Sequence, residues 1–308
     1  MFLTHINVDT NLRCTVECGT PQFPMQVFPI YFSKFITGTL NWHWHPELEF
    51  SVALTGNVRF YVNDSSVLLQ KGEGVFVNSN SLHMAEPADN CKDAIILAIV
   101  FAPEFIMNTA STIYRDYVAP IIENKALPGV KFSRGTTWQE RILDKLNELY
   151  SLEYNPCFGY ELQYHNLICT AWFELVTNLR EVILSASVYT ENPLNEQRAK
   201  LMMSYIHEHF SESITIDEIA ASANISRSEC FRCFRKLINK KPFEYLNEYR
   251  LERALKMLIN TDKTITEISC VCGYKHSSYF GKLFRAKVGY SPRSYRKLYS
   301  KTKTKSSR

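Results

Sequence analysis

Glycine and proline are scarce in this sequence, and it has no long hydrophobic run. Its 308 residues include 11 glycines and 12 prolines, too few for a collagen-like or low-complexity chain. The most apolar stretch, residues 94–102, is far shorter than the roughly 20 residues that a transmembrane helix needs. The first residues lack the basic start and apolar run of a signal peptide. These absences argue against a membrane partner and predict a cytoplasmic protein.

Aromatic residues and cysteines are plentiful. The 17 tyrosines and 19 phenylalanines need a hydrophobic core, so the chain as a whole is not disordered. Nine cysteines are an odd number, and without a secretion signal we expect reduced thiols. The length corresponds to about two domains.

Charge is distributed unevenly along the chain. Residues 1–196 carry 12 basic and 21 acidic side chains, for a net charge of −9. Residues 197–308 carry 23 basic and 10 acidic side chains, for a net charge of +13. This asymmetry predicts two domains with different partners, and the basic one is a candidate for binding nucleic acid.

Short strands are predicted in the first third of the chain. Runs of apolar, β-branched or aromatic residues occupy positions 50–54, 58–62, 67–69, 75–77 and 95–101. Turn-forming residues separate them, among them Thr55-Gly56-Asn57 and Asn78-Ser79-Asn80. This pattern predicts an all-β sandwich or barrel over residues 1–135.

Helical spacing replaces this pattern in the middle of the chain. A first apolar stripe consists of Trp138, Ile142, Leu146, Leu149 and Tyr150. A second consists of Leu162, His165, Ile168, Trp172, Leu175, Val176, Leu179 and Ile183. The second stripe is wider than one packing face needs, so we predict that residues 136–184 contribute to a homodimer. Residues 185–196 have no period, contain Pro193, and are predicted to be a linker.

The basic part of the chain contains an internal repeat. Residues 215–219 (TIDEI) match residues 264–268 (TITEI) at an offset of 49, and Phe234 and Pro242 match Phe284 and Pro292 at an offset of 50. Each copy reads as a short helix, a turn and a basic helix, which is a helix-turn-helix. Residues 242–260 join the copies as a helix about 28 Å long. We predict a DNA-binding domain over residues 197–301, followed by a disordered basic tail over residues 302–308.

The second repeat carries a distinctive motif. It comprises Cys272-Gly273-Tyr274, Ser278-Tyr279-Phe280, Phe284-Arg285, Gly289-Tyr290-Ser291-Pro292 and Tyr295-Arg296. Over residues 203–301 the chain resembles the AraC/XylS-type transcription regulators. The resemblance implies a cupin-like barrel that senses a small molecule, dimerising helices and a double helix-turn-helix that binds promoter DNA. It also implies a homodimer that works with RNA polymerase as an activator.

Three departures of the first repeat from the second bear on its fold. Asn224 and Asn239 stand where the second repeat has Gly273 and Gly289, and asparagine also accepts a left-handed backbone. Cys230 replaces the aromatic ring of Phe280. We therefore expect the same fold with a thinner core in the first half.

The predicted DNA contacts lie on the second helix of each repeat. Side chains that can reach base edges are Arg227, Ser228, Phe231, Arg232, Ser277, Ser278 and Lys282. Side chains placed to meet phosphates are Arg235, Lys236, Arg285, Arg296 and Lys297.

A second candidate site lies in the β-rich part. His43, His45 and Glu49 have the same parity, so on one strand they would face one side, and His83 follows. The spacing resembles the metal motif of cupin enzymes, and two imidazoles, a carboxylate and a third imidazole could hold a divalent ion. However, no Pro-x-Gly triplet stands between Gly74 and His83.

We therefore expect no cofactor and no enzymatic activity, and predict that His43, His45, Glu49 and His83 bind a polar effector, with a sugar as one candidate. The predicted function is a sequence-specific, effector-responsive transcription regulator. The alternative is a metal-dependent cupin enzyme, an isomerase or dioxygenase, fused to a DNA-binding module.

Overall fold

The computed structural model describes residues 6–35, 37–89, 91, 93–154, 157–184 and 192–303. The chain divides into two compact units, Met1–Gln197 and Arg198–Arg308. Among the described residues, every named strand lies in the first unit, and the second unit is helical. None of the helices in this part of the chain combines the length and apolar character that crossing a membrane requires.

The first unit contains two antiparallel sheets. Its strands are β1 (Met25–Tyr31), β2 (Leu40–His43), β3 (Leu48–Thr55), β4 (Val58–Val62), β5 (Ser65–Leu69), β6 (Gly74–Val77), β7 (His83–Pro87), β8 (Ile95–Phe101) and β9 (Gly129–Phe132). The sheet orders are β1-β8-β3-β6-β9 and β2-β7-β4-β5. The predicted all-β, cupin-like architecture is confirmed, and the five predicted runs fall within β3, β4, β5, β6 and β8.

Strand β3 separates two cores. Its residues Leu48, Phe50 and Val52 belong to a core shared with helices that follow the sandwich. Ala53 belongs to the core between the two sheets. Since side chains alternate along a strand, Glu49 and Ser51 share the inner face with Ala53.

Helices cover the outer face of the larger sheet. The helices of the first unit are α1 (Thr112–Tyr117), α2 (Ala119–Ile122), α3 (Thr137–Tyr154), α4 (Tyr160–Asn178) and α5 (Arg180–Leu184). Leu146 of α3 and Trp172 of α4 share a core with Phe76 of β6. The predicted stripe of α4 is only partly buried, because Leu162 is 77% exposed. The side chain of Ile183 lies outside the described residues.

The second unit repeats one helical pattern. Its helices are α6 (Asn192–His209), which begins in the first unit, α7 (Ile216–Ser222), α8 (Arg227–Leu237), α9 (Pro242–Asn260), α10 (Ile265–Val271), α11 (Ser277–Val288) and α12 (Pro292–Lys303). Thr215 caps α7 and Thr264 caps α10, each in a reciprocal capping box with the glutamate three residues on. The same cap, at an offset of 49, starts both helix-turn-helix copies.

Two predicted boundaries differ from the structure. Residues 185–191 of the predicted linker lie outside the described residues, but α6 already begins at Asn192, where a linker was expected. Likewise α12 continues to Lys303, so the first residues of the predicted tail are helical. The rest of the tail, residues 304–308, lies outside the described residues.

Candidate DNA interface and effector site

The turn before each recognition helix has the backbone that the sequence predicts. Asn224 has φ 53° and Gly273 has φ 77°, and the equivalent pair after the helices, Asn239 and Gly289, has φ 54° and 83°. Asparagine and glycine tolerate this left-handed backbone best, so the departures in the first repeat preserve the fold.

Helix α8 has one buried face and one exposed face. Cys230 and Phe234 are fully buried, and the Ser226 side chain caps the helix by accepting from the Glu229 N–H (3.3 Å). The four predicted base-reading side chains all lie on the exposed face: Arg227, Ser228, Phe231 and Arg232. The helical period therefore predicted the orientation of α8 correctly.

Helix α11 repeats this arrangement. Phe280 and Phe284 are fully buried, at positions equivalent to Cys230 and Phe234. The predicted contacts Ser277, Ser278 and Lys282 are exposed. Each copy therefore presents a polar, basic helix face that an approaching duplex can reach.

Acidic partners hold two arginines of α8 in place. The Arg227 guanidinium donates to Asp217 Oδ2 (2.9 Å), and Arg232 Nε donates to Glu229 Oε2 (2.9 Å). Hydrogen bonding to Arg232 lowers the pKa of the Glu229 carboxyl. For Arg232 to reach a base it must exchange this carboxylate for DNA.

The predicted phosphate contacts divide into two groups. Arg235, Lys236, Arg285 and Lys297 are exposed. Arg296 differs from them, because its Nε donates to the Leu258 carbonyl (3.1 Å) and its Nη2 to the Lys263 carbonyl (2.6 Å). Arg296 therefore ties α12 to the end of α9 and to the chain before α10, and these two donors already have backbone partners.

Arg250 of α9 makes a similar pair of bonds in the first repeat. Its guanidinium donates to the Phe210 and Glu212 carbonyls, at 2.7 Å each, just before α7. This role could not be predicted from the sequence, since a guanidinium bound to distant backbone carbonyls leaves no pattern in the chain.

The four residues of the second candidate site come together between the sheets. His43, at the end of β2, lies opposite His83, at the start of β7. Glu49 lies on β3 in the other sheet. His45 lies between β2 and β3, where the chain passes Pro46 and changes sheet. The expectation that His43, His45 and Glu49 share one strand is therefore wrong, although they do converge.

These side chains are buried and close together. None is more than 6% exposed. Glu49 Oε2 lies 3.2 Å from His45 Nε2 and 3.4 Å from His83 Nε2. Phe60 stacks on the His83 ring with an interplanar angle of 6°.

Ser51 orients the carboxylate, because its hydroxyl donates to Glu49 Oε1 (2.5 Å). Ser51 was not among the residues predicted for this site, although it lies two positions after Glu49 and therefore faces the same side of β3.

Burial and the shared carboxylate determine the charges of this cluster. Burial raises the pKa of the Glu49 carboxyl, but the imidazoles of His45 and His83, 3.2 and 3.4 Å from its Oε2, outweigh it and hold that pKa well below its ordinary value. Burial, with the neighbouring imidazoles, lowers the pKa of His43 well below 6.5. Burial also acts to lower the pKa of His45, but Glu49 outweighs it and raises that pKa. The cluster therefore holds an ionised carboxylate among imidazoles.

Two concave regions accompany the sandwich. A cavity of about 230 Å³ opens beside β4, β5 and β9, and Phe60, Asp64 and Lys131 are among its lining residues. A larger apolar groove of about 660 Å³ lies among α1, α2 and α4, and includes Trp172 and Phe173.

A β-sandwich with a buried polar cluster, joined to two tandem helix-turn-helix copies with basic exposed faces, defines a two-domain DNA-binding transcription regulator. Residues 31–113 match the family model described as AraC-like ligand binding domain, and residues 219–298 match that described as Helix-turn-helix domain. The chain is 30% identical over 293 residues to the uncharacterized HTH-type transcriptional regulator YdeC of Bacillus subtilis, across 95% of this chain and 98% of YdeC.

Two further proteins are similar. The melibiose operon regulatory protein of Escherichia coli is 22% identical over 261 residues, 83% of each chain. The structure of an AraC-type DNA-binding regulator from Chromobacterium violaceum matches 34% of this chain and 93% of its own, with 27% identity and a TM-score of 0.33. The chain belongs to the AraC family of transcription regulators. It is a DNA-binding regulator with a ligand-binding N-terminal domain.

Proposed function

We propose that this regulator binds a small-molecule effector inside the sandwich, at His43, His45, Glu49 and His83. The observation that carries the proposal is a buried, charged cluster between two apolar sheets. Burying ionisable groups costs stability, and such clusters concentrate at functional sites.

Operator DNA is the second partner. The exposed faces of α8 and α11 read base edges, and Arg235, Lys236, Arg285 and Lys297 contact phosphates. We propose that the regulator acts in the cytoplasm together with RNA polymerase, as its family membership supports.

The effector's size limits where it binds. The polar atoms of the cluster approach to 3.2–3.4 Å, which leaves no room for a sugar between them. A multi-atom effector at this site therefore has to part these side chains, and the neighbouring cavity beside Phe60, whose ring stacks on His83, can take the rest of it. Sugars are the first class to test, because one relative is named for a melibiose operon.

The enzyme alternative is disfavoured by the family to which the chain belongs, whose models and relatives are described as DNA-binding or ligand-binding regulators. We propose that the protein is not an enzyme.

Replacing two cluster histidines tests the effector site. In full-length protein, His45→Ala combined with His83→Ala should abolish the reporter response to effector while operator affinity without effector is unchanged, because α8 and α11 are untouched. Effectors are found by thermal shift over a sugar panel, since a ligand at 100 times its Kd stabilises by about 2.7 kcal/mol.

His165→Ala is the matched control. His165 is a half-buried histidine of α4, outside the cluster, and its replacement should leave the response intact. An undiminished response in the double variant would place the effector elsewhere.

A further inference from the structure

Three histidines of the sandwich bring their ring nitrogens together. One nitrogen each from His43, His45 and His83 lies within 4.8 Å of the other two. Their side chains come from β2, from β7 and from the chain between β2 and β3. The opposing register of His43 and His83 in β2 and β7 fixes two of them in place.

Hydrogen bonds to the backbone place a proton on Nδ1 of all three rings. Each Nδ1 lies within hydrogen-bond distance of a carbonyl oxygen two residues away: His43 to Asn41 (2.8 Å), His45 to Glu47 (3.1 Å) and His83 to Ser81 (2.8 Å). A carbonyl only accepts, so each Nδ1 carries a proton and donates it. The nitrogen that each ring offers to a ligand is therefore Nε2.

The carboxylate is oriented toward these nitrogens. Ser51 engages Glu49 Oε1, so Oε2 is the oxygen that faces His45 and His83. His83 Nε2 is fully buried and has no hydrogen-bond partner among the described residues. Glu49 Oε2 lies 3.4 Å away, so a cation, either a proton on Nε2 or a metal ion, has to lie between the two atoms.

We propose that His43, His45, His83 and Glu49 bind one divalent transition-metal ion, through three Nε2 atoms and Oε2. The inference rests on the proposed sensor function, since it assigns the chemistry of the ligand that this cluster takes. The bound ion either is the effector or, when five- or six-coordinate, takes the effector as a further ligand.

The dimensions and donors agree with such an ion. Nitrogens at most 4.8 Å apart can all lie within about 2.8 Å of a common centre, so small ring rotations reach the Zn–N distance of about 2.0–2.1 Å. Three imidazoles and a carboxylate suit Zn²⁺ or Fe²⁺, whereas Mg²⁺ and Ca²⁺ prefer oxygen ligands. Each Nδ1–H bond to a carbonyl, and the Ser51 bond to Glu49, is an outer contact of the kind that orients metal ligands.

The incomplete cupin motif does not weaken this site. The absent Pro-x-Gly triplet concerns the turn before β7, while the pairing of β7 with β2 places His83 opposite His43. This proposal therefore differs from the sequence-based expectation of no cofactor.

Metal content and titration test the proposal. Full-length protein purified without chelators is assayed for metals, then stripped with EDTA and titrated with Zn²⁺ and with Co²⁺ by calorimetry. We expect one tight site in the wild type that is lost in His83→Ala and Glu49→Gln. Ser51→Ala removes only the orienting bond and should weaken Zn²⁺ affinity about 10–100-fold.

The Ser51→Ala and His165→Ala variants keep the result interpretable. Ser51→Ala removes a single hydroxyl, so it should fold even if a ligand variant does not, and His165→Ala should bind Zn²⁺ as the wild type does. Absence of a tight site in the wild type, or equal affinity in wild type, Ser51→Ala and Glu49→Gln, would overturn the proposal.

A reporter assay separates this inference from the proposed function. Loss of response in the histidine double variant without metal binding by the wild type would leave the effector site standing and end the metal proposal. Metal binding without any change in response would keep the metal site and end the sensor role of the cluster.

Discussion

At the scale of single residues, Gly273 and Gly289 share a left-handed backbone but differ in their surroundings. A Cβ at Gly273 would lie 2.5 Å from the Phe210 carbonyl oxygen, whereas one at Gly289 would meet nothing within 4 Å. Gly289→Ala should lower the free energy of unfolding by about 1–2 kcal/mol, because alanine is strained in the left-handed conformation. Gly273→Ala should lower the free energy of unfolding further, because the Phe210 carbonyl must also move to make room for the new Cβ. Denaturant unfolding of both full-length variants measures the difference, and equal losses would contradict the steric argument.

His207 gives a pH dependence at the same scale. It is buried against Tyr245, with a hydrogen bond between Nε2 and the tyrosine hydroxyl (2.7 Å). Burial, with Arg253 and Lys256, lowers its pKa from 6.5 to about 3. As pH falls below 6.5 the unfolded chain takes up this proton and the folded chain does not. Stability is therefore lost between pH 6.5 and about 3, at about 1.4 kcal/mol per pH unit.

The His207→Gln variant isolates this effect. Glutamine does not titrate, so its unfolding midpoint should fall less steeply with pH between 6.5 and 4.5 than that of the wild type. Parallel curves for the two proteins would show that His207 does not couple protonation to folding.

The roles of single residues could be predicted from the sequence where they follow from the repeat or from the helical period. The inward positions of Phe234 and Phe284 and the left-handed Asn224 were predictable, because the repeat and the helical period determine them. The role of Arg296 was not, because its partners Leu258 and Lys263 lie more than thirty residues earlier in the chain. The convergence of Glu49 with His83 was anticipated from residue types, but not the change of sheet between them.

At the scale of elements, the two recognition helices should read separate base pairs. Arg232 of α8 and Lys282 of α11 occupy equivalent exposed positions, and α9 between them should place them in successive major grooves, about 34 Å apart. Arg232→Ala or Lys282→Ala should weaken the free energy of operator binding by about 1–3 kcal/mol. Each should also reduce the preference for particular base pairs in the groove that its helix reads. Binding titrations with an operator and with its base-pair variants measure these changes. If a substitution lowers the affinity equally for every operator variant, that residue contacts the DNA backbone and not the bases.

Lys297→Ala should affect DNA binding differently from the substitutions of the base-reading residues. As a phosphate contact on α12, Lys297 should contribute equally to all sequences, and its loss should reduce the log–log salt slope by about 0.9. Arg296→Ala is expected to reduce stability instead, since Arg296 bonds to backbone carbonyls.

Strands were less predictable than helices. The runs in β3, β4, β6 and β8 are apolar enough to be recognised. Strand β7 begins with a buried histidine and contains Glu86 and Pro87, so its composition favours a loop, and pairing with β2 and β4 makes it a strand. Tertiary pairing outweighed local preference there.

At the scale of the whole molecule, we propose that the groove among α1, α2 and α4 forms a homodimer contact. Phe173 in this groove is 65% exposed and Tyr117 is 54% exposed, and contiguous apolar surface of this kind marks an interaction site. A two-fold interface would bury Phe173 of both copies. Phe173→Asp should therefore raise the dimer Kd about tenfold or more, as measured by sedimentation of the full chain.

Phe158→Asp is the matched control for the dimer. Phe158 is fully exposed before α4 and is not among the groove residues, so the same substitution there should not change association. A wild type that stays monomeric at micromolar concentration would remove the basis for this contact.

The crossing of the chain from one sheet to the other between His43 and Glu49 has a mechanical consequence. A ligand held by Glu49 and His83 at once is bonded to both layers of the sandwich, so its binding limits how far the layers can separate. Thermal opening of the sandwich then becomes slower when ligand is present. Amide hydrogen exchange in β2, β3 and β7 should slow together when Zn²⁺ binds, while exchange in β5, at the far edge of its sheet, changes little.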